Sequence, residues 1–293
     1  MKERIDLLII DPQNDFCSPD AKAKKGTPQE NNGVYEGTLY VPGAEKDMER
    51  VANLIKRFGQ KIKKIHVTLD CHHYYDIAHP GFWRNSNGKN PDPFTIISSK
   101  DIVEGVWIPV FLSLPHLGID NTVEYVKSYT KQLEDSGRYS LCIWHPHCLI
   151  GSEGNTVFPL LFKSLIEWEK NQKNNINYVS KGSAITTEHY SGVKAEVPDG
   201  KDPSTQLNIR FIEMLKQSDK ILVAGEALSH CLKSTIEDIV KEFKDPSLIE
   251  KIILLEDATS SVISPFVDFP AISQNFVEDM KAKGMKVLKT TDF

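Results

Sequence analysis

Short apolar runs recur along this chain, and nearly every one gives way to a longer stretch with helical spacing. That alternation constrains the fold more than any single motif does. Ile5–Ile10 reads as a buried strand that stops at Asp11. Ala44–Phe58 sets Met48, Val51, Leu54, Ile55 and Phe58 on one helical face and is halted by Gly59. Residues 62–69 form a second strand, again ending on an acid, Asp70. Further short strands are expected at 141–143, 176–180, 220–224, Ile252–Leu255 and Lys286–Leu288, with helices over 157–169, 229–243 and 272–283. This rhythm predicts an α/β three-layer sandwich, Rossmann-like, with a central and mainly parallel sheet and helices on both faces. Right-handed crossovers then bring the C-terminal strand ends to one rim, where ligands bind. Asp11, Asp70, Lys181 and the turn before Cys231 all fall on that rim.

One segment departs from the pattern. Residues 84–140 open with NSNGKNPDP and close with a predicted helix at 122–134. We read the chain as one domain, 1–293, with an insertion or lid at 84–140, and take 191–204 as a loop. The net charge of −5 argues against nucleic-acid or anionic-membrane partners. The opening apolar run is too short and wrongly flanked for a signal peptide or a membrane span. Five cysteines without regular spacing suggest no disulfide framework. A cytoplasmic protein with a free thiol available for chemistry is the expectation.

The chemistry-bearing residues cluster at strand ends. Cys231 follows the strand KILVA within one tight turn and opens a helix, a placement that favours thiolate. The plain alternative is a thiol packed beneath the helix. Asp11 could accept the thiol proton and return it to a leaving amine; otherwise it caps a turn. Lys181 could hold the thiolate and stabilise charge at a carbonyl, though most lysines are surface residues. Asp70 and His72, two residues apart in extended chain, project to one side and can grip an ion, with His79 or His147 as third ligand. Such a set suits zinc, iron or manganese.

These segments resemble the isochorismatase-like cysteine hydrolases, most closely the nicotinamidases. LLIIDPQNDF, LDCHHYYDIAHPGFW, WHPHC, SKGSAITTEHYSG and GEALSHCLKST occur in the family's order from Leu7 to about Val287. The resemblance implies a catalytic triad of Asp11, Lys181 and Cys231, and an oxyanion hole from the backbone N–H groups of Ala227 and Cys231 beside a cis Glu226–Ala227 peptide. It implies one divalent ion, zinc first, on Asp70, His72 and His147, with Phe16, His79 and Tyr190 on the substrate side. Two departures stand out: the insertion between Asp70 and His147, and Glu226 with Ser229-His230 in the nucleophile turn.

The function implied is hydrolysis of a small-molecule amide through a cysteine thioester, nicotinamide giving nicotinate and ammonia, as in NAD salvage. Rival readings keep the triad for a carbamoyl or ureido compound, let a metal make the nucleophile, or leave a non-catalytic binding protein. A homo-oligomer is left open.

Overall fold

Leu7, Leu8, Ile9 and Ile10 have no solvent exposure. An uninterrupted buried run of this kind marks a strand covered on both faces. In the computed structural model, which describes residues 3–19, 35–243 and 245–293, it is the strand β1 (Ile5–Ile10) near the middle of a six-stranded sheet. The other strands are β2 (Ile62–Asp70), β3 (Asn177–Lys181), β4 (Lys220–Gly225), β5 (Ile252–Leu255) and β6 (Lys286–Leu288). They pair in the order β6-β5-β4-β1-β2-β3, all parallel. The chain steps outward from β1 to β3, then returns to lay β4 beside β1. The order therefore reverses between β1 and β4, and a crevice opens there at the strand C-terminal ends.

Helices cover both faces, as the alternating pattern predicts. They are α1 (Ala44–Phe58), α2 (Thr122–Ser136), α3 (Pro159–Gln172), α4 (Ile209–Lys216), α5 (Lys233–Phe243) and α6 (Phe269–Ala282). α1 packs on α3, and α4 packs on α5. The buried stripe of α1 (Met48, Val51, Ala52, Leu54, Ile55) is the one its spacing shows, with Phe58 packed partly buried against the core. Each fully buried Leu or Ile contributes about 1.5–3 kcal/mol of transfer free energy.

Two local expectations need correction, and one element was not foreseen. The run at 141–143 does not join the main sheet; Leu141–Cys142 pairs antiparallel with Ile96–Ile97. Two apolar residues cannot by themselves distinguish a central strand from a small satellite ribbon. Helix α4 lies beyond the 191–204 loop, in a stretch for which no element was expected; Phe211, Ile212 and Leu215 have helical spacing and bury one face. The expected helix at 229–243 begins as a π-helical turn, Leu228–Leu232, before α5.

Within 84–140, Trp83–Arg84 pairs antiparallel with Ile108–Pro109, and the short helix Ser99–Val103 packs on α2. Arg138, beyond α2, reaches Glu237 at 3.1 Å and Asp238 at 3.2 Å on α5, and Glu196 at 3.4 Å. The segment is thus clamped to the helix that follows the nucleophile turn. No helix among the described residues is long and apolar enough to cross a membrane.

Candidate active site

The crevice between β1 and β4 requires the two strand ends to approach closely. Gly225 makes this feasible: its φ is +112°, and a Cβ there would meet the Ile10 carbonyl oxygen at 2.1 Å. Asp11 leaves β1 with φ +42°, a left-handed conformation that aspartate tolerates better than most residues. Thr68 on β2 orients it, accepting from the Asp11 N–H at 3.0 Å and donating its hydroxyl to Oδ1 at 2.5 Å. Oδ2 faces the Lys181 ammonium at 2.9 Å and has no other oxygen or nitrogen partner among the described residues.

Lys181 is the last residue of β3 and pairs in register with Asp70 at the end of β2. Its Nζ lies 2.9 Å from Asp70 Oδ1 and 3.7 Å from Cys231 Sγ. Gly182 follows with φ +84°, where a Cβ would strike Asp70 Oδ1 and the His72 ring. Gln13 locks the β2 tip by exchanging two 2.7 Å hydrogen bonds with the Asp70 backbone. The three expected groups therefore meet from three distant segments, each at most 7% exposed.

Their charge states follow from that burial. Desolvation raises the Asp11 carboxyl above its ordinary value, with Lys181 opposing and Asp70 adding. Burial works against a charged Lys181, but Asp11 and Asp70 hold the ammonium well above the usual lysine range. The Cys231 thiol moves in the direction opposite to the sequence expectation. Burial pushes it well up, Lys181 pulls it down, and Asp11 and Asp70 push it further up. The helix-terminus argument fails because the cysteine sits desolvated inside the π-helical turn, facing two carboxylates. The resting sulfur is a thiol that needs a base. The Glu226–Ala227 peptide ahead of it is cis.

Beside this triad, three imidazoles converge. His72 Nδ1 lies 3.0 Å from Asp76 Oδ2, His79 Nδ1 3.1 Å from the His73 carbonyl, and His147 Nδ1 2.8 Å from the His145 carbonyl. Each of those oxygens accepts a hydrogen bond from the Nδ1–H of its ring, which turns the Nε2 atoms to the interior. Asp70 Oδ2 lies 3.0 Å from His72 Nε2 and 3.4 Å from His147 Nε2. His79 Nε2 approaches the His147 ring at 3.3 Å. Ligand atoms of His72, His79 and His147 fall within 4.8 Å of one another, all buried. Burial opposes a charged His72, but Asp70 and Asp76 hold its imidazole well above the ordinary histidine range. Protons or one cation can therefore sit between these atoms, and the donor set fits a divalent transition metal. His79, read from sequence as a substrate-side residue, stands in this cluster and does not line the cavity next to Cys231.

That cavity is only about 30 Å³, room for about one water. Phe16 and Tyr190, read from the sequence as substrate-side residues, line it together with Ala227, His147 and Cys231. Trp144 Nε1 donates to the Tyr190 hydroxyl at 3.0 Å. Glu188, also on its wall, was not singled out from the sequence. It is buried, Oε2 has no hydrogen-bond partner among the described residues, and burial pushes its carboxyl up to about 7 against the pull of His72. Its signal lay in the Lys181 segment, as an acid seven residues beyond the lysine. A much larger groove, about 930 Å³, runs between Phe111–Gly118 and the chain following Lys181, but holds none of the triad.

The sequence matches no protein-family model and no curated protein. Solved structures do resemble it. The yeast nicotinamidase Pnc1p bound to the inhibitor nicotinaldehyde is 20% identical with a TM-score of 0.61, over 97% of this chain and 99% of that one. The nicotinamidase/pyrazinamidase of Acinetobacter baumanii is 17% identical with a TM-score of 0.58, over 99% and 98%. The pyrazinamidase of Pyrococcus horikoshii in complex with zinc is 17% identical with a TM-score of 0.51, over 98% and 99%. The chain thus has the α/β fold of these nicotinamidases.

Proposed function

We propose that this protein is an isochorismatase-like cysteine hydrolase that cleaves the C–N bond of a small amide, nicotinamide first. The observation that carries the reading is Lys181 Nζ placed 2.9 Å from Asp11 Oδ2 and 3.7 Å from Cys231 Sγ, at the point where strand order reverses. Asp11, with its raised proton affinity, takes the Sγ–H proton. The thiolate attacks the amide carbon, and the N–H groups of Ala227 and Cys231 receive the developing oxyanion. Collapse expels ammonia, protonated by Asp11, and leaves a thioester. Asp11 then deprotonates a water that attacks the thioester, releasing the acid and restoring the thiol. Lys181 keeps its charge throughout and balances the carboxylates.

Asp70, His72 and His147, with His79 as a fourth group, would hold one divalent ion; the zinc of the Pyrococcus neighbour makes zinc the first choice, ahead of iron or manganese. When bound, the ion supplies a fixed positive centre for a substrate nitrogen or a water. Five free cysteines suit a reducing, cytoplasmic setting.

A cavity of about 30 Å³ favours a second reading, a smaller carbamoyl or ureido substrate, because a pyridine ring enters only if the aromatic walls move. Ammonia release from purified protein on a panel containing nicotinamide, pyrazinamide, benzamide and ureido compounds separates the two. Turnover of nicotinamide that vanishes in Cys231→Ala supports the first reading; retained turnover in that variant overturns the mechanism.

A further inference from the structure

The turn that carries Ala227 and Cys231 contains a residue the mechanism does not use. Glu226 follows the last residue of β4 and has no solvent exposure. Its Oε2 accepts from the Ser260 N–H at 3.2 Å, while Oε1 has no donor among the described residues. The neighbour across from it is another carboxyl, Asp47 on α1, which takes the hydroxyl of the same Ser260 and is only 4% exposed. Two carboxyl groups can hydrogen-bond only if one carries a proton.

The surroundings decide how many protons the pair holds. Asp47 Oδ2 accepts from the Ser260 hydroxyl at 2.5 Å, and Oδ1 meets Arg50 at 3.0 Å. Glu45 adds a further negative charge from α1, and the thiol of buried Cys17 faces Glu226 from the Asn14–Cys17 turn. Arg50, 44% exposed and bound to Asp47, is the cation among these groups. One guanidinium can balance one carboxylate, so the second acid stays neutral.

Ser260 joins this pair to the catalytic turn. Its N–H serves Glu226, its hydroxyl serves Asp47, and its carbonyl accepts the Leu228 N–H at 2.8 Å. The Glu226 side chain and the Leu228 backbone are thus pinned to the same residue, on either side of Ala227. We propose that Glu226 and Asp47 share one proton beneath the nucleophile turn, and that Glu226 is a positioning residue which keeps the Ala227 N–H aimed into the cavity while that proton is present. Removing the proton sets two anions side by side in a dry site. Their repulsion displaces Glu226 from Ser260, and the turn loses that side-chain anchor while its backbone bonds, such as Leu228 N–H to the Ser260 carbonyl, remain.

Burial and the charge of Asp47 both raise the Glu226 carboxyl well above the ordinary glutamate range. The native state therefore holds this proton more tightly than the unfolded chain does. Its stabilising effect is complete below the unfolded value and is lost as pH rises through the folded one.

The test uses the full chain and Glu226→Gln, which keeps a neutral donor toward Asp47 at every pH. Infrared spectra of the wild type are expected to show a protonated-carboxyl C=O band at neutral pH that E226Q lacks. The melting temperature of E226Q should rise above that of the wild type by a margin that widens from about pH 5 to about pH 9. Alkylation of Cys231 by iodoacetamide, followed against pH, should show an inflection in the wild type that is absent from E226Q. Amide turnover, where found, should fall at a lower pH in the wild type than in E226Q. The positioning role rests on the proposed hydrolase reading, but the band, the melting curves and the alkylation do not require turnover. No wild-type band removed by E226Q would overturn the shared proton. A band accompanied by coincident alkylation and turnover profiles in the two proteins would overturn the positioning role.

Discussion

Strand β1 carries one aspartate at its start and is followed by another at its end, both with no solvent exposure, and their surroundings send them to opposite fates. At the N-terminal end, Asp6 accepts from Ser218 Oγ at 2.7 Å and from Arg4 Nη2 at 3.0 Å and Nε at 3.3 Å, with His66 at 3.5 Å. Burial alone would raise its carboxyl, yet the bonds to His66, Arg4 and Ser218 hold it below the ordinary value. At the C-terminal rim, Asp11 has Thr68 on one oxygen and the Lys181 ion pair on the other, and it is raised. At Asp6 the donors outweigh burial, whereas at Asp11 deeper burial and the neighbouring Asp70 outweigh Lys181 and Thr68; the one is a saturated carboxylate that fastens the fold, the other an under-satisfied one ready to take a proton.

Variants can break that comparison, and the largest effect is expected at the sulfur. Cys231→Ala should reduce kcat by about 10⁴-fold or more, with scanning calorimetry showing a melting temperature close to wild type. Asp11→Asn should cost about 10²–10⁴ in kcat, the range for a lost general base, again without loss of thermal stability. Unfolding in place of inactivity would show Asp11 to be a structural acid like Asp6.

The metal cluster gives a smaller effect. Asp76→Asn weakens the acceptor that orients His72, and metal affinity measured by competitive chelation should fall about 10- to 100-fold. Unchanged affinity would count against His72 as a ligand. At the opposite end of β1, Asp6→Ala should cost about 2 kcal/mol in denaturant melts and leave turnover per folded molecule near wild type. The Asp6 stabilisation is present above its unfolded value and is lost as pH falls through the lowered folded one. Asp6→Asn should therefore flatten the acid limb of the stability profile, the smallest effect of the set.

The fold was largely legible in the order of apolar runs. Strand periodicity is local, so β1, β2, β3, β4, β5 and β6 could be placed without contacts, while the two-residue pairing at Leu141–Cys142 and the π-helical entry to α5 depend on neighbours from elsewhere. The residue types of the candidate site were legible for the same reason: Asp11, Lys181 and Cys231 each lie at or just beyond the end of an apolar run. Thr68, Gln13 and Glu188 were not, because their partners come from other segments and nothing adjacent in the chain sets them apart. His79 shows the same limit. Spacing near His72 could make it a ligand or a bystander, and only the convergence of three rings puts it in the cluster.

What the amino-acid order determined alone is the alternating architecture and the set of groups delivered to the rim, since both follow from chain-local periodicity and strand direction. Tertiary structure decided which carboxylates are saturated, that the Cys231 thiol is raised and not lowered, and that a second acid pair lies under the nucleophile turn. Those outcomes depend on desolvation and on donors contributed across long sequence separations, quantities that no local stretch of the chain contains.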